Sequence, residues 1–203
     1  IDYNMDRLRD EIMNHFAISL AGCPYICQIV CVNRNDIYIN IVQEYCGREL
    51  QDLLEHHTGY TEADALKWTE QLLLALKCIH SLDLAHFDIK PQNLLIDDAG
   101  NLKIIDFGLS QHKSVYSLGL IKNLGGTPGY IPRQALVNKR FDYRNDSYAA
   151  GITLSKLWPS IMKQTPPHIK ELVRALTEDY DTIPTMEVAL NMLNPAKYPI
   201  VIK

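Results

Sequence analysis

His86-Phe87-Asp88-Ile89-Lys90-Pro91-Gln92-Asn93 is followed, 13 residues after Asn93, by Asp106-Phe107-Gly108. The interval has room for a short loop and a β-hairpin turning at Asp97-Asp98-Ala99-Gly100-Asn101, so both stretches return to one cleft. Two carboxylates, an amide and an ammonium then surround one point. Phosphoryl transfer uses such a set: a carboxylate to orient a hydroxyl, oxygen ligands for magnesium, and a cation on the phosphate.

The rest of the composition bounds the answer. A chain of 203 residues, 47% of them hydrophobic, can bury one good core or two small ones. A net charge of −4 and a pI near 6.0 argue against a nucleic-acid footprint. No apolar run approaches the ~18 residues of a membrane span. The amino end, Ile1-Asp2-Tyr3-Asn4, has neither a signal-peptide pattern nor a starting Met, as expected of a fragment or a processed chain. Five cysteines, at 23, 27, 31, 46 and 78, are an odd count that suits a reducing cytosol or nucleus better than a secreted disulfide framework. The four-residue spacing of Cys23, Cys27 and Cys31 invites a metal reading, but no His or second Cys cluster stands at ligand spacing. The better reading puts Cys27, Ile29 and Cys31 on one strand face as small buried groups.

Local patterns place the elements. Residues 4–20 read as a helix with Met5, Leu8, Ile12 and Ile18 near one face. Strands follow over 25–32 and 37–43, joined by a turn at Asn33-Arg34-Asn35-Asp36. Thr61 with Asp64 three residues on caps a helix that runs to His80, its buried side marked by Leu66, Leu73, Leu76 and Ile79. Residues 109–125, rich in Ser, Gly and Lys, read as a mobile loop. Further helices are expected from Asp146 to Trp158, where Pro159 stops the helix, and over 167–177 and 184–193.

The two opening motifs resemble the catalytic and magnesium loops of eukaryotic-type protein kinases of the serine/threonine class. That resemblance implies an α+β, mainly α, bilobal fold: residues 1–46 as a remnant of the small lobe and 47–203 as a shortened helical large lobe. It implies ATP and Mg2+ as cofactors, a protein substrate, and room for a regulatory protein partner. Asp88 would orient or deprotonate the substrate hydroxyl and Lys90 would touch the γ-phosphate. Asn93 and Asp106 would hold the metal. Val42-Gln43-Glu44-Tyr45-Cys46-Gly47 is similar to the interlobe hinge, with Gln43 as a polar gatekeeper and Glu44 to Cys46 facing adenine. Glu49 would lie near the ribose, and Leu95 would close the adenine pocket. His86 and Phe107 would stack in the spine between lobes. The first helix would offer Glu11 toward the phosphates; the commoner family spacing would put Asn14 there, with Ile18 in the spine. Gly126-Thr127-Pro128-Gly129-Tyr130 resembles the substrate-docking end of the activation segment, and Asp146 the acid that ties down the catalytic loop. Over residues 37–96 the motifs are also similar to the Wee/Myt kinases.

Four departures from the family stand out. There is no Gly-rich phosphate loop, and the earliest lysine is Lys67. The phosphate-binding Lys of the small lobe therefore lies upstream of Ile1 or is absent. Phe87 replaces the Arg that normally receives an activation-loop phosphate. Pro132-Arg133-Gln134 and Ile183-Pro184-Thr185 stand where Ala-Pro-Glu and Arg-Pro-Ser/Thr are expected. Two functions follow: an ATP–magnesium phosphotransferase, which the joint retention of Asp88, Lys90, Asn93 and Asp106 favours, or a pseudokinase scaffold, which the missing lysine favours.

Overall fold

A computed structural model describes residues 3–35, 37–56, 59–117, 126–159 and 165–200. The fold is α+β and mainly helical. Helix α1 (Tyr3–Leu20) turns His15 and Ile18 inward, at 2% and 0% exposure, and leaves Met13 outside. It ends because Gly22 takes a left-handed φ of 72°, a conformation that costs glycine little, and Pro24 then bars continuation.

Strands β1 (Ile29–Arg34) and β2 (Ile39–Gln43) form an antiparallel pair. Asn35 closes their turn by accepting from the amides of Ile37 and Tyr38 at 2.9 and 2.7 Å. The first strand starts four residues later than its apolar pattern suggests, and the reason is a competing partner. Ile104 N–H donates to Tyr25 O at 2.9 Å and Cys27 N–H to Ile104 O at 3.0 Å, so residues 25–27 bridge to the hairpin instead. Cys27 is buried as expected, but it precedes β1 and is disulfide-bonded to Cys46.

A second sheet has the order β3 (Arg48–Glu49), β5 (Leu94–Ile96), β6 (Leu102–Ile104). Gly47 makes this possible: its φ is 87°, and a Cβ there would overlap the Ile96 carbonyl. The hairpin between β5 and β6 turns over residues 97–101, as the sequence predicts, with Gly100 at φ 73°. Helix α2 (Leu50–His56), which the sequence reading missed, follows β3 directly and buries Leu50 and Leu54.

Helix α3 (Glu62–Ser81) opens with the expected reciprocal cap between Thr61 and Asp64. It buries Trp68, Leu72, Leu73, Leu76 and Ile79, each worth about 1.5–3 kcal/mol against exposure. Leu66 departs from its expected place: Ala65 and Trp68 take the inward positions of that turn, and Leu66 is 42% exposed. The helix also clamps the hairpin. Trp68 Nε1 donates to Gly100 O at 3.0 Å, and Gln71 Oε1 accepts from Leu102 N at 2.8 Å.

Strands β4 (Leu84–Ala85) and β7 (Gln111–His112) pair antiparallel, and α4 (Lys113–Tyr116) follows. The expected loop at 109–125 therefore contains regular structure as far as Tyr116; residues 118–125 lie outside the described residues. Helices α5 (Arg133–Asn138), α6 (Arg144–Leu157), α7 (Pro167–Thr177) and α8 (Met186–Leu193) complete the chain. At Gly151 of α6 a Cβ would stand 2.6 Å from Thr177 Cγ2 and 2.8 Å from Leu176 Cβ, so only glycine permits this approach to α7. Among the described residues no helix is long and apolar enough to cross a membrane.

Candidate active site

β4 delivers the chain into His86-Phe87-Asp88, and a single buried acid holds the turn. Asp146, 0% exposed in α6, accepts from the amides of His86 and Phe87, both at 2.8 Å, and lies 2.9 Å from His80 Nε2. These bonds hold Phe87 at φ 64°, a conformation that costs a bulky L-residue about 1–2 kcal/mol. Asp88 is thereby presented at the start of the next turn.

Four groups converge on Asp88. Lys90 Nζ donates to its Oδ2 at 2.7 Å and to Thr127 Oγ1 at 2.8 Å. Thr127 Oγ1 donates to Asp88 Oδ1 at 2.8 Å. Asn93 Nδ2 reaches Asp88 O and Oδ2 at 2.8 and 3.0 Å. Asp88 N–H faces His86 Nδ1 at 3.2 Å. Burial acts to raise the Asp88 pKa, but bonds from Lys90, Thr127 and Asn93 together with the Lys90 charge outweigh it and hold the carboxyl below its usual range. Asp88 is an ionised acceptor at neutral pH. Thr127 is a member of this site that the sequence reading did not place among the catalytic and ligand residues. Its signal was the Gly-Thr-Pro-Gly stretch, read only as a docking segment.

Asn93 and Asp106 are brought together by the hairpin, through the bond from Ile105 N to Asn93 O at 3.0 Å. The Asn93 amide nitrogen is committed to Asp88, which leaves its oxygen as an acceptor. Asp106 is exposed, at φ 63°, and accepts from Gly108 N at 3.2 Å. An amide oxygen and an accessible carboxylate are hard oxygen donors, a set that fits magnesium.

Phe107, 1% exposed, lies between His86 and His15, with ring centroids 4.9 and 4.5 Å away. The sequence reading named His86 and Phe107 for this stack and put Ile18 with them only under the alternative spacing that has Asn14 in place of Glu11. His15 takes it, one turn beyond Glu11 on the same helix face. His15 Nε2 meets Cys27 O at 2.6 Å; because a carbonyl only accepts, that nitrogen carries the proton, and Nδ1 accepts from Gln43 Nε2 at 3.2 Å. Burial, and to a lesser degree His86, lower the His15 pKa. Glu11 does face the Asp106 loop: a Cβ on Gly108 would lie 3.4 Å from its Oε2. Burial and then Asp106 raise the Glu11 pKa. Asn14 instead donates to Ser110 O and Oγ, both at 3.1 Å.

The other nucleotide candidates are spread along one path. Glu44 pairs with Lys103 at 3.0 Å and accepts from Gln28 N at 3.1 Å. Cys46 is buried, and Glu49 sits opposite Leu95 across β3 and β5. A cavity of about 710 Å³ lies elsewhere, lined by His80, Tyr116, Arg140 and Tyr143 among others and by none of these site residues. The donor chemistry at Asp88, not cavity size, locates the site.

A buried acid tying a strained loop, a Lys–Asp–Asn cluster and an adjoining Asp-Phe-Gly turn thus stand together in one part of the fold. The chain belongs to the protein kinase family: the protein kinase domain model matches residues 2–194. It is 34% identical over 152 residues to CBL-interacting protein kinase 8 of Oryza sativa subsp. japonica, covering 73% of this chain and 34% of that protein. It is 32% identical over 183 residues to CBL-interacting protein kinase 32 of the same plant, covering 89% and 41%. With calcium-dependent protein kinase 6 of Arabidopsis thaliana it shares 34% over 182 residues, covering 86% and 32%. The chain thus spans roughly a third to two-fifths of these relatives' length. The relatives named are plant kinases, and the Wee/Myt likeness stays a likeness of the motifs in 37–96.

Proposed function

We propose that the chain transfers the γ-phosphoryl group of ATP to a Ser or Thr hydroxyl of a protein substrate, with magnesium. The observation that carries this reading is the convergence of Lys90, Thr127 and Asn93 on an ionised Asp88. Asp88 accepts the hydroxyl proton as the substrate oxygen bonds to the γ-phosphorus and the bond to the β-phosphate oxygen breaks. Lys90, held against Asp88, places a positive charge where the transferred group carries its negative charge. Asn93 and Asp106 would hold magnesium, whose chemistry there would be to neutralise charge on the phosphate oxygens. Residues 44–46, Glu49 and Leu95 receive the nucleoside, with Gln43 at the back of that pocket. In this reading residues 1–46 act as a small lobe and 47–203 as the large one.

A regulatory protein partner is assigned by analogy with the relatives named for CBL interaction. The scaffold reading has its own observation: Glu11 faces the Asp106 loop, and burial and then Asp106 raise its pKa. A transfer assay with radiolabelled ATP, magnesium and Ser-, Thr- or Tyr-containing peptides separates the two. Label on Ser or Thr peptides is expected. Nucleotide binding without any transfer supports the scaffold.

A further inference from the structure

Cys27 and Cys46 are 19 residues apart in the chain, with Cα atoms 6.2 Å apart, and their sulfurs are bonded. Each residue is 2% exposed. The bond joins the segment entering β1 to the segment Glu44–Cys46. Beside the bonded sulfurs lies one backbone atom of interest, the carbonyl oxygen of Glu44. Cys27 Sγ is 3.1 Å from it and Cys46 Sγ 3.6 Å. The other polar groups of Glu44 are already engaged: its N–H donates to Gln28 O at 2.9 Å, and its carboxylate holds Lys103 and Gln28 N.

We propose that Cys27 and Cys46 form a redox modification site that opens and closes the adenine end of the nucleotide pocket. The proposal rests on the reading above that residues 44–46 receive adenine. An adenine amino group needs a carbonyl it can approach to about 2.9 Å. With both sulfurs in van der Waals contact with the Glu44 oxygen, that approach is filled. Reduction by a dithiol breaks the S–S bond and adds one proton and one electron to each sulfur, the dithiol leaving as its own disulfide. The two side chains then turn independently, and either thiol can yield its place to a stronger donor, because S–H is a weak one. Oxidation by a peroxide runs the other way: two thiols and hydrogen peroxide give one disulfide and two waters. In the oxidised state the sulfurs are not thiolate donors, so the nearness of Cys27, Cys46 and the Glu44 carboxylate does not make a metal centre. The neighbouring Cys23 does not compete, since burial pushes its thiol up to about 12 and the thiolate is the reactive form.

The test is ATP–magnesium binding to the 203-residue chain by calorimetry after hydrogen peroxide and after dithiothreitol, with the bridge mapped by mass spectrometry. The oxidised chain is expected to bind at least about tenfold more weakly than the reduced chain, the effect of one lost hydrogen bond. Cys27→Ala should bind equally under both treatments; if it loses its helical circular dichroism, Cys27→Val serves the same comparison. Equal binding by oxidised and reduced wild type, with the bridge mapped in the former, overturns the gate and leaves the nucleotide reading standing. No binding by the reduced wild type or by a folded Cys27 variant overturns the adenine reading, and the gate with it.

Discussion

Thr127 Oγ1 donates to Asp88 Oδ1 at 2.8 Å while itself accepting from Lys90 at the same distance. This one hydroxyl ties the segment after residue 125 to the carboxylate of the catalytic loop. Thr127→Ala removes a charge-assisted bond worth about 1.5–3 kcal/mol and should lower the transfer rate about 10- to 100-fold. Thr127→Ser should keep most of the rate. The hydroxyl is also among the groups holding the Asp88 pKa down, so the acid limb of the Ala variant's pH–rate profile should move to higher pH. An unmoved limb would place Thr127 outside the site.

Phe87 and Tyr116 meet edge-on, their ring centroids 5.7 Å apart at 88°. An aromatic contact thus joins α4 to the catalytic loop where the family's Arg would take a phosphate. Phosphatase treatment should leave the transfer rate nearly unchanged; a fall of about a hundredfold would contradict this. A charge on Tyr116 should harm. Burial first, and then Asp142, Asp83 and Asp146, already push its hydroxyl up to about 12. Tyr116→Phe is expected to retain activity and Tyr116→Glu to lose it, measured side by side.

The bond between His15 and Gln43 accounts for the polar residue before Glu44. Single changes to Leu at either position should cost about 0.5–1.5 kcal/mol, and the double variant less than their sum, in urea unfolding. The folded His15 pKa is lowered, so the unfolded chain binds more protons as pH falls below the free value of about 6.5. Its contribution is complete above that pH and is lost on acidification. His15→Leu should therefore show a shallower loss of stability below about pH 6.5 than wild type. Identical pH curves would mean that His15 binds its proton equally well folded and unfolded, against the lowered pKa.

Local chemistry made much of this fold legible. The Thr61–Asp64 cap, the turn at 97–101 and the start of α7 at Pro167 each depend on neighbours within a few residues, and each formed as read. The Asp88, Lys90 and Asn93 cluster was also legible, because one short turn carries all three. What escaped depends on distant partners. Nothing beside Cys27 announces Cys46, or Ile104 as the strand that captures residues 25–27. Among the described residues the His15 side chain has no partner within its own helix; Phe107 and Gln43, which meet it, are distant in the chain. At the far end, Gln134 is exposed while Ile183 is buried. The bonds described between residues 140–145 and 180–183 run instead through Arg140 to Asp181 at 3.0 Å and Tyr180 to Asn145 at 2.9 Å.

The central claim is that Asp88 handles the substrate proton while the nucleotide is held by other groups. Single-turnover transfer from radiolabelled ATP by the 203-residue chain and its Asp88→Asn variant, beside calorimetric ATP–magnesium binding under reducing conditions, tests it most directly. Within this chain no lysine precedes Lys67 to clamp the phosphates, so wild-type transfer should be slow yet measurable. Asp88→Asn should lower it by at least about a hundredfold with binding changed less than about threefold. Transfer that survives the substitution would contradict the account.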